Sequence, residues 1–386
     1  MKKLRGITID NGGSEIRVLP DATTCNIWKW NNDIVQLDEK TFRVRDVERP
    51  ECVIRVISAV PDKSLEGLYA HGVTGKMYGG QNLKISSQET KTGSDNFYKQ
   101  LLYAVAMDSY TARLEDIASR STSSGLDKLL WNTSNSYDYA IVSCIPIKEF
   151  NGITDCAEIL KKRICGDYEV EFPLVDGTPR IRFSIAKENV GVVPEGGVAI
   201  MGLRKSINKE DISLVVDMGH VSTDIALFQG PSLLGKVLSS PYAGSTLIGN
   251  IRARLNDMGF YVSEDQVIRV LETGMARRGA AEVDVKDVIR EEEQIFVRNY
   301  LQQEIIQVLN MNAINATQVQ NFIPIGEPMN PHGGESSAIQ DAIVRDCGLE
   351  YACIQELAKD LRYVNVTMAA KFTRKLVQGI QAKRGM

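Results

Sequence analysis

One pattern occurs twice in this chain and limits the folds open to it. Leu4–Ile9 is an alternating apolar segment that ends in Asp10-Asn11-Gly12-Gly13-Ser14 and resumes as Glu15–Leu19. Ile212–Val216 ends in Asp217-Met218-Gly219, and Thr223–Phe228 is its return strand. Each reads as a β-hairpin, because Asn and Gly tolerate the positive φ of tight turns. With 386 residues the chain is long enough for two domains. Each half mixes strand and helix patterns. Duplicated α/β halves facing each other would put both turns at one cleft.

The remaining pattern fills in the two halves. Residues 25–93 read as a small, mostly extended unit, with strands at Thr41–Val47 and Cys52–Val60 and Gly-rich breaks between Gly72 and Gly80. Asn96–Leu114 has helical apolar spacing, and Ser119–Gly125 is a polar loop. Tyr139–Ile145 is a buried strand stopped by Pro146, and two segments flanking Asp176-Gly177 form another hairpin. Val190–Val193 runs into Pro194-Glu195-Gly196-Gly197, with helix following to Leu203. Helices are expected over Arg252–Leu271 and Val288–Leu309, the second with Val297, Leu301, Ile305 and Val308 on one stripe. Phe322–Ile325 is a last strand, in which Pro324 implies an edge or irregular position.

Composition narrows the functional classes. A net charge of -4 argues against direct wrapping of nucleic acid. No run approaches the roughly 18 apolar residues of a membrane span, and the basic N-terminus lacks a signal-peptide core. Seven scattered cysteines without a Cys-x-x-Cys pair suit a reduced cytoplasm. On that reading the sequons at Asn132, Asn315 and Asn365 are chance matches. Three separated histidines make a His-based metal centre a poor expectation.

The chemistry expected of the two turns is phosphate binding. Glycine lets backbone N–H groups approach phosphate oxygens, a Ser or Thr hydroxyl adds a donor, and a strand-end Asp can hold a hydrated Mg²⁺. Either turn alone also reads as an ordinary hairpin; two in matching contexts shift the balance.

At this point the chain resembles the superfamily of actin, Hsp70 chaperones and sugar kinases. Within it, the chain looks most like the bacterial plasmid-segregation actins of the ParM type. Ile7–Ser14 resembles the first phosphate motif, and Leu214–Gly219 running on to Asp224 resembles the second. Val193–Gly197 resembles the segment that keeps a water-positioning glutamate. Ile323-Pro324-Ile325-Gly326-Glu327 resembles the adenosine motif, Ile141–Pro146 a strand ending in Leu-Pro, and Ser240–Leu247 the segment after the second hairpin.

The resemblance implies an actin-like α/β fold of two related domains around a nucleotide cleft, each with a smaller subdomain. The first domain would be 1–195 plus 366–386, with its subdomain about 25–93. The second would be 196–365, with its subdomain about 252–310. It implies ATP, with GTP open, and Mg²⁺ oriented through its waters by Asp10 and Asp217. Gly12, Gly13, Ser14, Gly219 and Ser222 would cradle the phosphates; His220 could add a contact, and Gly244, Gly326 and Glu327 would complete the nucleotide site. Glu195 would hold the attacking water, with a helix N-terminal acid as the alternative. Asp224 is either a turn-closing residue or a direct contact. His220, where relatives often have glycine, and Glu327-Pro328, where they have glycines, depart from the pattern and leave the purine preference open.

The implied function is a cytoplasmic ATPase that polymerises head to tail with itself, with a separate DNA-binding adaptor and no membrane partner. The alternative is a non-polymerising metabolite kinase or sensor of the same fold. The C-terminal segment, with Met368, Phe372, Leu376 and Ile380 four apart, reads as a closing helix on the first domain rather than a membrane-surface helix, since its stripe is narrow and lacks Trp.

Overall fold

A computed structural model describes residues 3–20, 26–44, 50–82, 90–118, 136–152, 155–174, 178–203, 205–332, 336–355 and 357–385. Cys25, the loop at 119–125, Asn132 and the turn at Asp176-Gly177 lie outside them. The chain forms two compact units. One is Met1–Pro194 with Val366–Met386, and the other is Glu195–Asn365.

The first unit is built on a ten-stranded sheet. Its strands are β1 (Lys3–Asn11), β2 (Glu15–Pro20), β3 (Trp28–Asn31), β4 (Asp33–Gln36), β5 (Val53–Val60), β6 (Gly67–His71), β7 (Gln81–Asn82), β8 (Ser136–Ile145), β9 (Gly166–Glu171) and β10 (Arg180–Pro194). They lie in the order β3-β2-β1-β8-β10-β9-β5-β6-β4-β7. β1 is antiparallel to β2 and parallel to β8, with Asp10 opposite Arg17 on one side and Cys144 on the other. Ile7, Ile9, Ile141 and Ile145 are fully buried in the core against the helix Asp95–Ala118. Each such side chain contributes about 1.5–3 kcal/mol. That helix is pinned to the sheet by a buried cluster. Arg5 forks onto Asp108 at 2.6 and 2.8 Å, and Tyr139 donates to the same carboxylate at 2.6 Å.

The second unit holds a five-stranded sheet of β11 (Ile212–Met218), β12 (Thr223–Gln229), β13 (Ser232–Ser240), β16 (Val319–Ile325) and β17 (Cys353–Ile354). Its order is β13-β12-β11-β16-β17. A separate hairpin pairs β14 (Met275–Arg278) with β15 (Ala281–Asp284). Here too the strand bearing the Asp-x-Gly turn is antiparallel to its return strand and parallel to a later one. The order β3-β2-β1-β8 in one unit and β13-β12-β11-β16 in the other is one arrangement used twice.

Three sequence expectations change. Arg252–Leu271 is not one helix but two, Gly244–Asp257 and Glu264–Thr273. The break lies at Gly259 and Tyr261, both at positive φ, and Ser263 opens the second helix with a capping box. Thr41–Val44, the described part of an expected strand, is a turn in which Thr41 and Phe42 both donate to the Asp38 carbonyl. Gly72–Met77, read only as a Gly-rich break, is a short helix. The expected helix at Val288–Leu309 is present as Lys286–Phe296 and Gln302–Met311, joined by a π-turn at Val297–Leu301. Its predicted stripe is buried throughout. Pro324 sits beside β11 at Val216, beyond the reach of β17, which pairs only with Asn321 and Phe322. Its missing N–H therefore costs no ladder bond on that side.

Candidate functional site

In the first unit the candidate turn is the tip between β1 and β2. Asp10 lies in the buried run that continues to Asn11 at the end of β1, and is itself only 2 % exposed. Its Oδ2 lies 3.3 Å from Arg17 Nη1, its cross-strand neighbour, and Arg17 Nε donates to Glu15 at 3.0 Å. Asn32, the residue after β3, braces the tip. Its amide donates to Asn11 Oδ1 and to the Gly12 carbonyl, both at 2.6 Å, and its backbone N–H to the Ser14 carbonyl at 2.9 Å. The amides of Gly12, Gly13 and Ser14 make no hydrogen bond to another described residue. A side chain at Gly12 would meet the Glu15 carbonyl at 2.9 Å, so the turn needs glycine there to keep its shape.

In the second unit the corresponding turn joins β11 to β12. Asp217 pairs across the strands with Asp224, the place taken by Arg17 in the first unit. One turn therefore sets a carboxylate beside a cation, and the other sets two carboxylates together. The Arg17 guanidinium offsets part of the negative charge of Asp10 and Glu15 in the first turn. Asp217 faces a second carboxylate across the strands and not a cation, so the second turn favours a cation more strongly. Gly219 donates to the Ser222 carbonyl at 2.9 Å, closing the turn, while the amides of His220, Val221 and Ser222 bond to no described residue. Gly219 and Ser222 are exposed, and His220 is half-buried.

The flanking segments shape this second turn. Gly244 and Ser245 begin a helix, but their amides donate to the Gly219 and His220 carbonyls at 3.0 and 2.8 Å. Gly244 thus serves by close approach, with Gly219 O and Pro328 only 3.2 and 3.1 Å from any Cβ placed there. Thr223 donates to the Tyr242 carbonyl, and the Tyr242 ring lies 4.5 Å from Tyr300, which the π-turn presents. Gly326 follows β16 at φ +101°, with its missing Cβ directed at the Met218 carbonyl. Glu327 faces Arg362 at 3.3 Å, and Arg362 also clamps Asp360. Beyond it His332 Nδ1 meets Glu293 Oε1 at 2.6 Å, tying this segment to the helix Lys286–Phe296; burial, partly offset by His332, raises the Glu293 carboxyl above its usual range.

Glu195 opens the second unit in a one-residue turn. Gly196 sits at φ +69°, ψ -53°, and Gly197 donates to the Glu195 carbonyl at 2.7 Å. That is the strained γ-turn geometry, tolerable at glycine. The Gly196 N–H donates to Asn365 Oδ1, and Asn365 Nδ2 donates to Asp217 Oδ2, both at 2.9 Å.

Mg²⁺ fits this donor set only in one form. Among the described residues no three His, Cys, Asp or Glu side chains converge on a metal. Asp10 in one turn, and Asp217 beside Asp224 in the other, suit an ion that keeps its waters and arrives with phosphates, not an all-protein cage. Phosphates fit the amides at 12–14 and 220–222, which bond to no described residue. Arg17, Asn32 and Asn365 are residues that the sequence reading missed. Arg17 was legible in principle, as the position opposite Asp10 in a hairpin register; the two asparagines come from distant segments.

Together, the duplicated sheets and paired Asp turns define the actin-like fold. The chain is similar to the crystal structure of the actin-like protein Alp7A, with a TM-score of 0.70 over 100 % of this chain and 99 % of that one, at 13 % identity. An archaeal actin homolog gives 0.68 over 96 % and 99 % at 14 % identity, and has also been solved in complex with ADP. A 15-stranded ParM filament from Clostridium botulinum gives 0.61 over 97 % and 100 % at 13 % identity. No protein-family model matches the sequence, and no curated protein matches it.

Proposed function

We propose that this chain is a nucleotide-dependent ATPase that polymerises head to tail and serves plasmid DNA segregation in the cytoplasm. The observation that carries the reading is the pair of turns, each with three consecutive amides that bond to no described residue and an Asp at the strand end. The filament is supported by the fold's likeness to a ParM filament structure, and the segregation role by the resemblance of the sequence motifs to ParM-type actins. ATP is the expected nucleotide, with GTP as the alternative, since Glu327 and Pro328 stand where the motif usually has glycine.

Bound Mg²⁺ supplies positive charge against the phosphate oxygens. Asp10 and Asp217 would hold it through its waters. The amides at 12–14 and 220–222, with the Ser14 and Ser222 hydroxyls, donate to phosphate oxygens, and Arg17 adds a cation. Glu195 orients the attacking water, a task of positioning more than basicity. Gly326 and Glu327 border the base. Self-contact would be heterologous and non-closing, the geometry that yields filaments. A separate DNA-binding adaptor would link filament to cargo, in keeping with the net charge of -4.

The test is equilibrium binding of a fluorescent ATP analogue with Mg²⁺, alongside phosphate release. Asp10→Ala and Asp217→Ala are each expected to weaken binding at least 10-fold, and Glu195→Ala to bind normally while releasing phosphate slowly. Undiminished binding in both Asp variants would refute the nucleotide reading. Phosphate transfer to a sugar or acetate, instead of to water, would establish the kinase alternative.

A further inference from the structure

We propose that Asn365 is a positioning residue that holds the water-orienting and metal-facing groups of the second unit in one geometry; this rests on the roles of Glu195 and Asp217 given above. Both ends of its amide are used. Nδ2 donates to Asp217 Oδ2 and Oδ1 accepts from the Gly196 N–H, each at 2.9 Å. Asn365 is 6 % exposed, so these bonds form away from competing water.

The two partners come from separate pieces of chain with no ladder between them. Asp217 stands near the end of β11, and Gly196 is the apex of the γ-turn that starts at Glu195. They pack closely: a Cβ on Gly196 would be 3.6 Å from Asp217 Oδ2 and 3.3 Å from Val215 Cγ1. Contact alone does not fix the rotation of a carboxylate or the pucker of a strained turn. A side chain carrying a donor and an acceptor on one rigid plane does both. Asparagine meets that need: Asp would set a carboxylate against a carboxylate, and Ala would leave the buried Gly196 N–H without its acceptor. The sequon that begins at Asn365 is thereby explained as a buried structural amide.

The experiment compares Asn365→Ala, which removes both bonds, with Asn365→Asp, which keeps the volume and the acceptor but not the donor. Hydrogen exchange of the Gly196 amide is read in nucleotide-free protein, and kcat and nucleotide affinity are read separately. Exchange at Gly196 is expected to quicken at least 10-fold in Asn365→Ala and to stay slow in Asn365→Asp. In both variants kcat should fall roughly 10- to 100-fold, the scale seen when groups supporting a site are lost, with affinity within about 3-fold of wild type. Should Asn365→Ala fail to fold, the isosteric Asp variant carries the kinetic comparison. Unchanged Gly196 exchange, or a kcat unchanged in either folded variant, overturns the proposal. So does a loss of affinity equal to the loss of kcat. A wild-type protein that releases no phosphate would refute the ATPase reading instead, and the exchange result would still decide what holds Gly196.

Discussion

Replacing Gly326 with alanine should be among the most damaging single-methyl changes in the second unit. Gly326 lies at φ +101°, ψ 159°, a region essentially confined to glycine. An alanine there stores about 1–3 kcal/mol of backbone strain. The added Cβ would also fall 2.0 Å from the Met218 carbonyl oxygen and 2.8 Å from its carbon. Neither side yields easily. Met218 is fully buried in the β11–β12 ladder opposite Thr223, and Gly326 donates to the Leu361 carbonyl at 3.0 Å. Relief of such overpacking adds about 1–3 kcal/mol. The total, about 2–6 kcal/mol, is a large share of the usual stability of a domain. The strain falls where Ile325 pairs with Asp217, so the candidate site distorts with it. Urea unfolding by circular dichroism measures the effect. All three tryptophans (28, 30 and 131) belong to the first unit, so their fluorescence reports that unit separately. Gly379→Ala is the control: its Cβ meets nothing within 4 Å, and in a helix the change should stabilise by up to about 1 kcal/mol. A Gly326→Ala protein as stable as wild type would refute the reasoning.

Other outcomes follow from the first unit. His71 is fully buried, stacked 4.1 Å from Tyr103, and burial lowers its pKa from 6.5 to about 3. Its folded pKa lies below its unfolded one, so its contribution is full above pH 6.5 and fades as pH falls toward 3. Between pH 7 and pH 5 the loss is about 2 kcal/mol. His71→Phe should flatten that slope in urea midpoints measured against pH, at a constant cost of about 1 kcal/mol for the Gln100 hydrogen bond. Arg17→Met should weaken ATP binding by about 10- to 150-fold, the worth of a charged hydrogen bond, and reduce the salt dependence measured by titration. Asn32→Ala removes the brace on Gly12 and Ser14; about 1–3 kcal/mol of stability should be lost in thermal unfolding, with faster exchange at the 12–14 amides.

Much of this architecture is readable in the residues, for identifiable reasons. The two Asp-x-Gly hairpins stand out because strand period and turn chemistry are local, and the structure places Asp10 and Asp217 at equivalent points of equivalent sheets. The break near Gly259 was hidden because apolar spacing on both sides stays in phase with a single helix. The short helix at Gly72–Met77 is glycine-rich because its neighbours press close: a Cβ on Gly75 would be 2.7 Å from the Asp33 carbonyl. Such a reason lies in packing and is invisible to pattern. The same holds for Asn365, whose two partners are 169 and 148 residues away along the chain. Gly244 was legible as a special position, while the hydrogen bond from its amide to the Gly219 carbonyl is visible only in the fold.

The most direct test of the account is sedimentation of the purified chain with Mg²⁺ and ATP, GTP, ADP or no nucleotide. A filamentous pellet is expected with a nucleoside triphosphate and little without one, lost in Asp217→Ala and retained in Glu195→Ala. Assembly that ignores nucleotide and survives Asp217→Ala, or phosphate release with no assembly under any condition, would contradict it.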